Sequence, residues 1–329
     1  MKSMRIGKAA IAELILSLLL IAALFYFTDM GKVAAVVSQL DWKWLLAALL
    51  FYFSINVCMA VRIWVLLADM GKRLPYMKVL MAHFSGMIAS DFTPARSGYF
   101  TTAFVLSRNN ALELEKTMVS IVGPQIFDFL LKVTAGAIAF WYLLTYALGD
   151  NTGQSVVYAV VFGIFAIAMM IAVMVLSLFS PRFLRIIGFV KRLPFGAKLH
   201  LLVENIQNNS DSIKRHIGLI TGLLLITWFF KAAEWYALAQ AVGISPDVPF
   251  NALIFFAFLQ PLVTILQFAP LPTFAGAGFS EAATVFVLIQ FGVTAEAALV
   301  FALLTRAVMI LVDSLGVKEA VGMLKLGGK

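Results

Sequence analysis

The chain is 329 residues long, 62% hydrophobic and 13% charged, with a formal net charge of +8. Soluble domains are roughly 45–50% apolar and about 25% charged. A globule of this size could not clothe its surface with so few polar groups, which excludes a soluble protein. The basic excess falls in short segments between apolar runs, the pattern of membrane orientation, so nucleic acid is not an expected partner.

Runs of about 20 apolar residues recur along the chain, and each is long enough to cross hydrocarbon. Strand-like alternation is absent, so helices must satisfy the backbone. A first run, about Ala9 to Phe27, follows Lys2, Arg5 and Lys8. It lacks a small-x-small cleavage site and reads as a retained span. A second run extends from about Trp44 to Ala68, entered through interfacial Trp42 and Trp44. Two stretches too short to cross alone come next, Met77 to Ser90 and Tyr99 to Leu106, around Asp91-Phe92-Thr93-Pro94-Ala95-Arg96-Ser97-Gly98. Together they predict a re-entrant helical hairpin over 77–106 with its tip at the Pro/Gly segment. Val119 to Tyr146 is the third span and Ser155 to Phe179 the fourth. The basic segment Ser180 to His216 predicts an amphipathic helix on the membrane surface, and Ile217 to Ala241 is the fifth span. A second hairpin, 250–291, surrounds Ala269-Pro270-Leu271-Pro272-Thr273-Phe274-Ala275-Gly276-Ala277-Gly278, and Glu296 to Leu315 is the last span.

The fold expected is therefore an all-α integral membrane protein with about six transmembrane helices and two re-entrant hairpins. Segments placed in the cytoplasm carry eighteen Lys and Arg, and those placed outside carry only Lys32 and Lys43. This bias puts both termini in the cytoplasm of a multi-pass cell-membrane protein. Each half, 1–149 and 150–329, reads span, span, hairpin, span, and the two halves have opposite orientation. Arg62 lies nine residues before Gly71 and Glu234 nine before Gly243, while the hairpin exits GYFTTAFVL and GFSEAATVFVL start at Gly98 and Gly278. Inverted repeats with broken helices are a transporter signature.

Charges inside hydrocarbon are costly and concentrate the search. Asp128 and Lys132 are four apart on the third span, Lys231 and Glu234 three apart on the fifth, and Arg306 and Asp313 seven apart on the last. Ion pairing between or along helices is the structural alternative for these groups, above all for Lys231 and Glu234. In the first tip, Arg96 offers a planar fork suited to phosphate. Asp91 beside it could cap or hold a cation, and His83 reads as a satisfied buried histidine. Glu281 sits in the first turn after the second tip, where it could cap the helix, bind a cationic headgroup, carry a proton or pair with Arg306. The equal rise of two antiparallel segments puts Glu281 and Arg306 at similar depth. Cys58 is the sole cysteine, the three histidines are scattered, and no metal-ligand spacing or nucleotide fingerprint occurs, so neither metal nor cofactor is expected.

The segment SDFTPARSGYFTTAFVLSR resembles the "PxRxGE…R" stretch of the lysylphosphatidylglycerol synthase transmembrane region family, also described as flippase-like. LPTFAGAGFSEAATVFVL resembles its "PxGxGxxE" stretch, and ALVFALLTRAVMILVDSLG its final span with an embedded arginine. The resemblance covers nearly the whole chain. It implies site roles for Pro94, Arg96 and Gly98 in the first tip, for Pro272, Gly276, Gly278 and Glu281 in the second, and for Asp128 and Arg306 on the following spans. The chain departs from the pattern where Tyr99 replaces a glutamate, where the next arginine is replaced around Thr102, and where Pro124-Gln125 replaces an acidic and basic pair. Only a short tail follows the last span, so the flippase-like half is expected without a soluble synthase domain. The function implied is a lipid translocase for a polar, phosphate-bearing lipid or lipid-linked precursor, not an enzyme. An intramembrane enzyme or an accessory subunit of polyprenyl-glycolipid synthesis is the alternative. Membrane lipids are the expected substrate, with a second copy of the chain and lipid- or glycan-synthesis enzymes as candidate protein partners.

Overall fold

The computed structural model describes residues 8–26, 28–110, 112–148, 180–186, 196–208, 210–268 and 276–326, together with 169, 172, 176 and 188. Apart from 169, 172 and 176, the expected fourth span lies outside the described residues, as do the boundary near residue 150 and Pro272. Among the described residues every regular element is helical. The protein is an all-α membrane protein. Four helical stretches, Trp42–Asp69, Lys116–Leu143, Ile217–Val242 and Ala295–Gly322, are long and apolar enough to cross a bilayer. The first two helices make a fifth candidate if taken together.

Those first two are α1 (Lys8–Tyr26) and α2 (Met30–Ser38), bent at 87° to one another. The bend is set by Asp29, whose carboxylate accepts from the backbone N–H groups of Gly31 at 2.8 Å and Lys32 at 3.3 Å, capping α2. Sequence reading leaves this stretch as a loop, because nine residues are too few for a periodic signal. α3 (Trp42–Asp69) starts at the Asp41 cap and stops where Gly71 turns left-handed at φ +80°. The first hairpin is α4 (Tyr76–Asp91), a tight 3-10 turn over Pro94–Phe100, and α5 (Thr101–Asn110) folded back on α4. α6 (Leu114–Leu148) is the long third-span helix and carries Pro124 inside it.

The basic segment after residue 180 differs from the single surface helix expected. Among its described residues it forms three helices, α7 (Pro181–Ile186), α8 (Gly196–Asn208) and α9 (Ser210–Arg215). Pro194 lies in the sequence between the first two, and Gly196 begins the second. This region ties back to α3, since Arg215 and His216 reach Asp69 at 3.5 and 3.9 Å. α10 (Ile217–Val242) follows and ends at Gly243, left-handed at φ +77°. The second hairpin comprises α11 (Ala252–Phe268) and α12 (Phe279–Gln290). α13 (Ala295–Asp313) is the last span, continued by a 3-10 turn over Ser314–Gly316 and α14 (Val317–Leu326).

α3 and α10 form the central pair. Phe51 meets Phe230 at 6.1 Å between ring centroids, and Trp44 meets Tyr236 edge-on at 6.0 Å. α11 packs on α6 and α10, and α12 on α13. The end of the last span presses onto the first hairpin: a Cβ on Gly316 would stand 2.1 Å from the backbone carbon of Phe84. Only glycine permits that approach, so the last span and α4 act as one packed unit. α11 contains Pro261, which removes an N–H and leaves the carbonyl four residues earlier without its helical donor. That carbonyl belongs to Ala257, and the Trp228 indole donates to it at 2.8 Å from α10.

Candidate functional site

The first tip is built by close backbone approach. Thr93 Oγ1 donates to Ala89 O at 3.0 Å and accepts from Gly98 N at 2.6 Å, closing the turn over the end of α4. A Cβ at Gly98 would stand 2.3 Å from the Ala89 carbonyl carbon and oxygen, so the position requires glycine. Pro94 starts the 3-10 turn, where its fixed φ suits the first position. Arg96 has φ +53° and is the one non-glycine residue with positive φ among those described. Such a backbone persists only when its surroundings over-determine it. Here Arg96 Nη2 donates to Asp91 Oδ1 at 3.0 Å and to Ser90 Oγ at 3.3 Å.

The second tip uses glycines at the corresponding place. Gly276 and Gly278 have φ +72° and +82°, and a Cβ on Gly278 would meet Leu20 of α1 at 2.6 Å. Glu281 lies in the first turn of α12, only 4% exposed, with one oxygen accepting from Gly278 N at 2.7 Å. Its other oxygen accepts from Arg306 Nε of α13, while Arg306 Nη2 donates to Ser280 Oγ at 3.0 Å. Glu281 therefore caps its helix and pairs with Arg306 at once.

The two tips face a common gap. Asp91 and Arg96 from the first, and Ser280, Glu281 and Arg306 from the second hairpin and last span, line a cavity of about 30 Å³. That is room for about two waters. Arg96 also lines a much larger cavity, about 580 Å³, between α3, the first tip, α6, α10 and α11. The volume falls in the range of small-molecule sites, roughly 300–1,000 Å³. Its walls are largely apolar, with Ile55, Met59, Ile121 and Phe129 among them, and its polar groups include Arg62, Gln125, Asp128, Lys132, Lys231 and Gln260. Asp128 pairs with Lys132 at 2.7 Å and Lys231 with Glu234 at 2.7 Å. The Lys231 ammonium also stands 4.7 Å from the Tyr52 ring centre, and the Tyr52 hydroxyl donates to Asp313 at 2.8 Å. A third cavity, about 200 Å³ and lined by Ile138, Leu143, Ile254, Phe258 and Val287 among others, lies between α6, α11 and α12.

The residues singled out from sequence thus divide. Arg96 and Asp128 line the large cavity, Glu281 and Arg306 the small gap, and Arg96 alone of them lines both. Gly98, Gly276 and Gly278 shape backbone. Arg96, expected to meet phosphate, already faces a carboxylate, and so does Arg306. Lys231 pairs as expected but also lines the large cavity. His83 is fully buried, with Nε2 3.0 Å from Asn56 Oδ1. Residues that sequence reading passed over are Arg62, noted only as a repeat echo, Tyr99 and Gln125, noted only as departures, and Tyr52 and Gln260. A lone arginine inside the apolar run of the second span was the available signal for Arg62. Among the described residues no group of three or more His, Cys, Asp or Glu stands together as a metal site.

The family model for the lysylphosphatidylglycerol synthase TM region matches residues 10–316. The chain belongs to this family. Membership points to a lipid-related role in the membrane, and it spans both broken-helix hairpins and the last span that carries Arg306. No curated protein matches the chain significantly.

Proposed function

We propose that the protein is a translocase that moves a phosphate-bearing lipid across the bilayer. The observation that carries this reading is the cavity of about 580 Å³ inside a membrane-spanning helical bundle, apolar along its walls and ionised where it meets the first tip. A lipid has the same division, with a charged headgroup and apolar chains. The apolar cavity beside α11 and α12 adds room for a chain. Arg96 supplies the connection between the large cavity and the gap at the second tip, and its positive φ makes the tip a strained element suited to switching. The reading extends to an inverted pair of halves, 1–149 and 150–329, that rock about the tips to alternate access, with both termini cytoplasmic. Both second-span helices end on a left-handed glycine nine residues after Arg62 and Glu234, which supports the repeat.

The direct test uses purified protein in liposomes that contain fluorescent phosphatidylglycerol, with leaflet exchange followed by a membrane-impermeant quencher. Protein-dependent exchange is expected, and Arg96→Ala should abolish it while insertion persists. Exchange no faster than in protein-free liposomes would end the translocase reading. A cysteine placed at Asp247 in a Cys58→Ser background should label from outside the cell. Labelling from the cytoplasm alone would remove the inverted arrangement.

A further inference from the structure

Four cations line the large cavity, and three of them have carboxylate partners. Arg96 faces Asp91 at 3.0 Å, Lys132 faces Asp128 at 2.7 Å, and Lys231 faces Glu234 at 2.7 Å. Arg62 on α3 is different. It is only 3% exposed, no carboxylate pairs with it among the described residues, and its buried Nε and Nη2 have no hydrogen-bond partner. A guanidinium does not shed its proton, so burial cannot be relieved by neutralisation as it can for lysine. An uncompensated buried charge is among the most destabilising features a protein can hold. An anionic ligand in the cavity that Arg62 lines would answer its charge.

The chemistry of that ligand follows from the groups around Arg62. Nε and Nη2 form one edge of the guanidinium fork, two parallel donors matched to two oxygens on one centre. The Tyr99 hydroxyl lies within reach of both Arg62 and Gln125 but completes no hydrogen bond of its own. Tyr99 and Gln125 line the same cavity, so they add donors for a group with more oxygens than a carboxylate. One unanswered cation calls for one negative charge. Apolar Met59, Ile121 and Phe129 on the same walls suit chains attached to the charged group. We infer that Arg62, Tyr99 and Gln125 form the subsite for a singly charged phosphodiester, carried by a lipid. The lipid identity rests on the translocase reading; the anion site does not require that the lipid be moved.

The experiment measures binding apart from movement. Delipidated protein in neutral detergent is titrated with phosphatidylglycerol, with diacylglycerol of the same chains, and with inorganic phosphate, following retained lipid by native mass spectrometry and the unfolding temperature. Phosphatidylglycerol should bind and raise the unfolding temperature, diacylglycerol should do neither, and millimolar phosphate should compete weakly. Arg62→Gln should weaken phosphatidylglycerol at least tenfold, and Arg62→Lys should recover only part of the loss. Tyr99→Glu places a carboxylate beside Arg62. It should unfold at a higher temperature than the lipid-free parent and lose phosphatidylglycerol binding. If Arg62→Gln does not fold, Tyr99→Glu carries the test alone. Unchanged lipid binding in Arg62→Gln or in Tyr99→Glu overturns the subsite. Equal binding of both lipids, with phosphate binding on its own, overturns its lipid occupant. Loss of binding in these variants, in a protein that moves no lipid in liposomes, keeps the subsite and discards translocation.

Discussion

The two hairpin tips solve one problem in different ways. Each turns on a glycine that tolerates no side chain, and each presents a charged residue to the same water-sized gap. The first tip closes on itself: Arg96 pairs with Asp91, five residues earlier on the same hairpin. The second closes on another element, because Glu281 pairs with Arg306, 25 residues later on the last span. The locally closed tip can open without breaking an ion pair to another helix. The second cannot, since any displacement of α12 from α13 would leave two charges unpaired. Exposure does not separate the two pairs, since Arg96 and Asp91 are 19% and 3% exposed and Arg306 and Glu281 24% and 4%; what separates them is where the partner lies. The first tip is thus suited to exchange, and the second to anchoring.

If that contrast holds, the largest stability loss belongs to the second tip. Arg306→Gln leaves the buried Glu281 carboxylate unanswered and should lower stability by about 3–5 kcal/mol, and Glu281→Gln, which leaves the partly exposed Arg306, should cost less. The double variant should lose less than the sum of the two, because residues in one network do not act independently. Thermal or denaturant unfolding in detergent reads this directly. Strictly additive losses would mean that the pair is held by its surroundings and anchors nothing.

The glycines should rank next. Gly98→Ala forces a methyl into the Ala89 backbone at 2.3 Å, and Gly278→Ala forces one against Leu20 at 2.6 Å at a φ of +82°. Overpacking costs typically about 1–3 kcal/mol, and a left-handed backbone adds roughly 1–2 kcal/mol for alanine. Gly278→Ala, which meets both penalties, should be the more destabilising unless α1 can give way. A variant with α1 removed distinguishes the two. There Gly278→Ala should retain only its backbone penalty, while Gly98→Ala is unaffected.

These contrasts were unevenly legible in the sequence. Span positions follow from hydropathy over long windows, so α3, α6, α10 and α13 start and stop within a few residues of expectation. The hairpins followed from apolar stretches too short to cross, and the Glu281–Arg306 pair from equal helical rises. The large cavity could not be read this way, because it is made by several elements, distant in sequence, whose mutual packing no local pattern encodes. Tyr99 and Gln125 show the limit well. As departures from the family pattern they argue only for caution, yet folding brings Tyr99 to the unanswered Arg62 and Gln125 to Tyr99, in one cavity. Pro261 and Trp228 show it again, since the proline advertises an orphaned carbonyl but not the indole 33 residues earlier that answers it.

The smallest effect separates charge from backbone at Arg96 itself. At φ +53° any L side chain is strained by roughly 1–2 kcal/mol relative to glycine. Its partner Asp91 lies on the same hairpin, so the pair ties Arg96 to no second helix. Arg96→Gly and Arg96→Ala both remove the guanidinium, but only the first relieves the backbone. The glycine variant should therefore be about 1 kcal/mol more stable than the alanine variant by unfolding. Both should be equally inactive in lipid exchange if the charge is what matters. Exchange restored in Arg96→Gly alone would assign the role of this tip to its backbone conformation, and the contrast between an exchanging tip and an anchored one would then rest on flexibility rather than on the arginine.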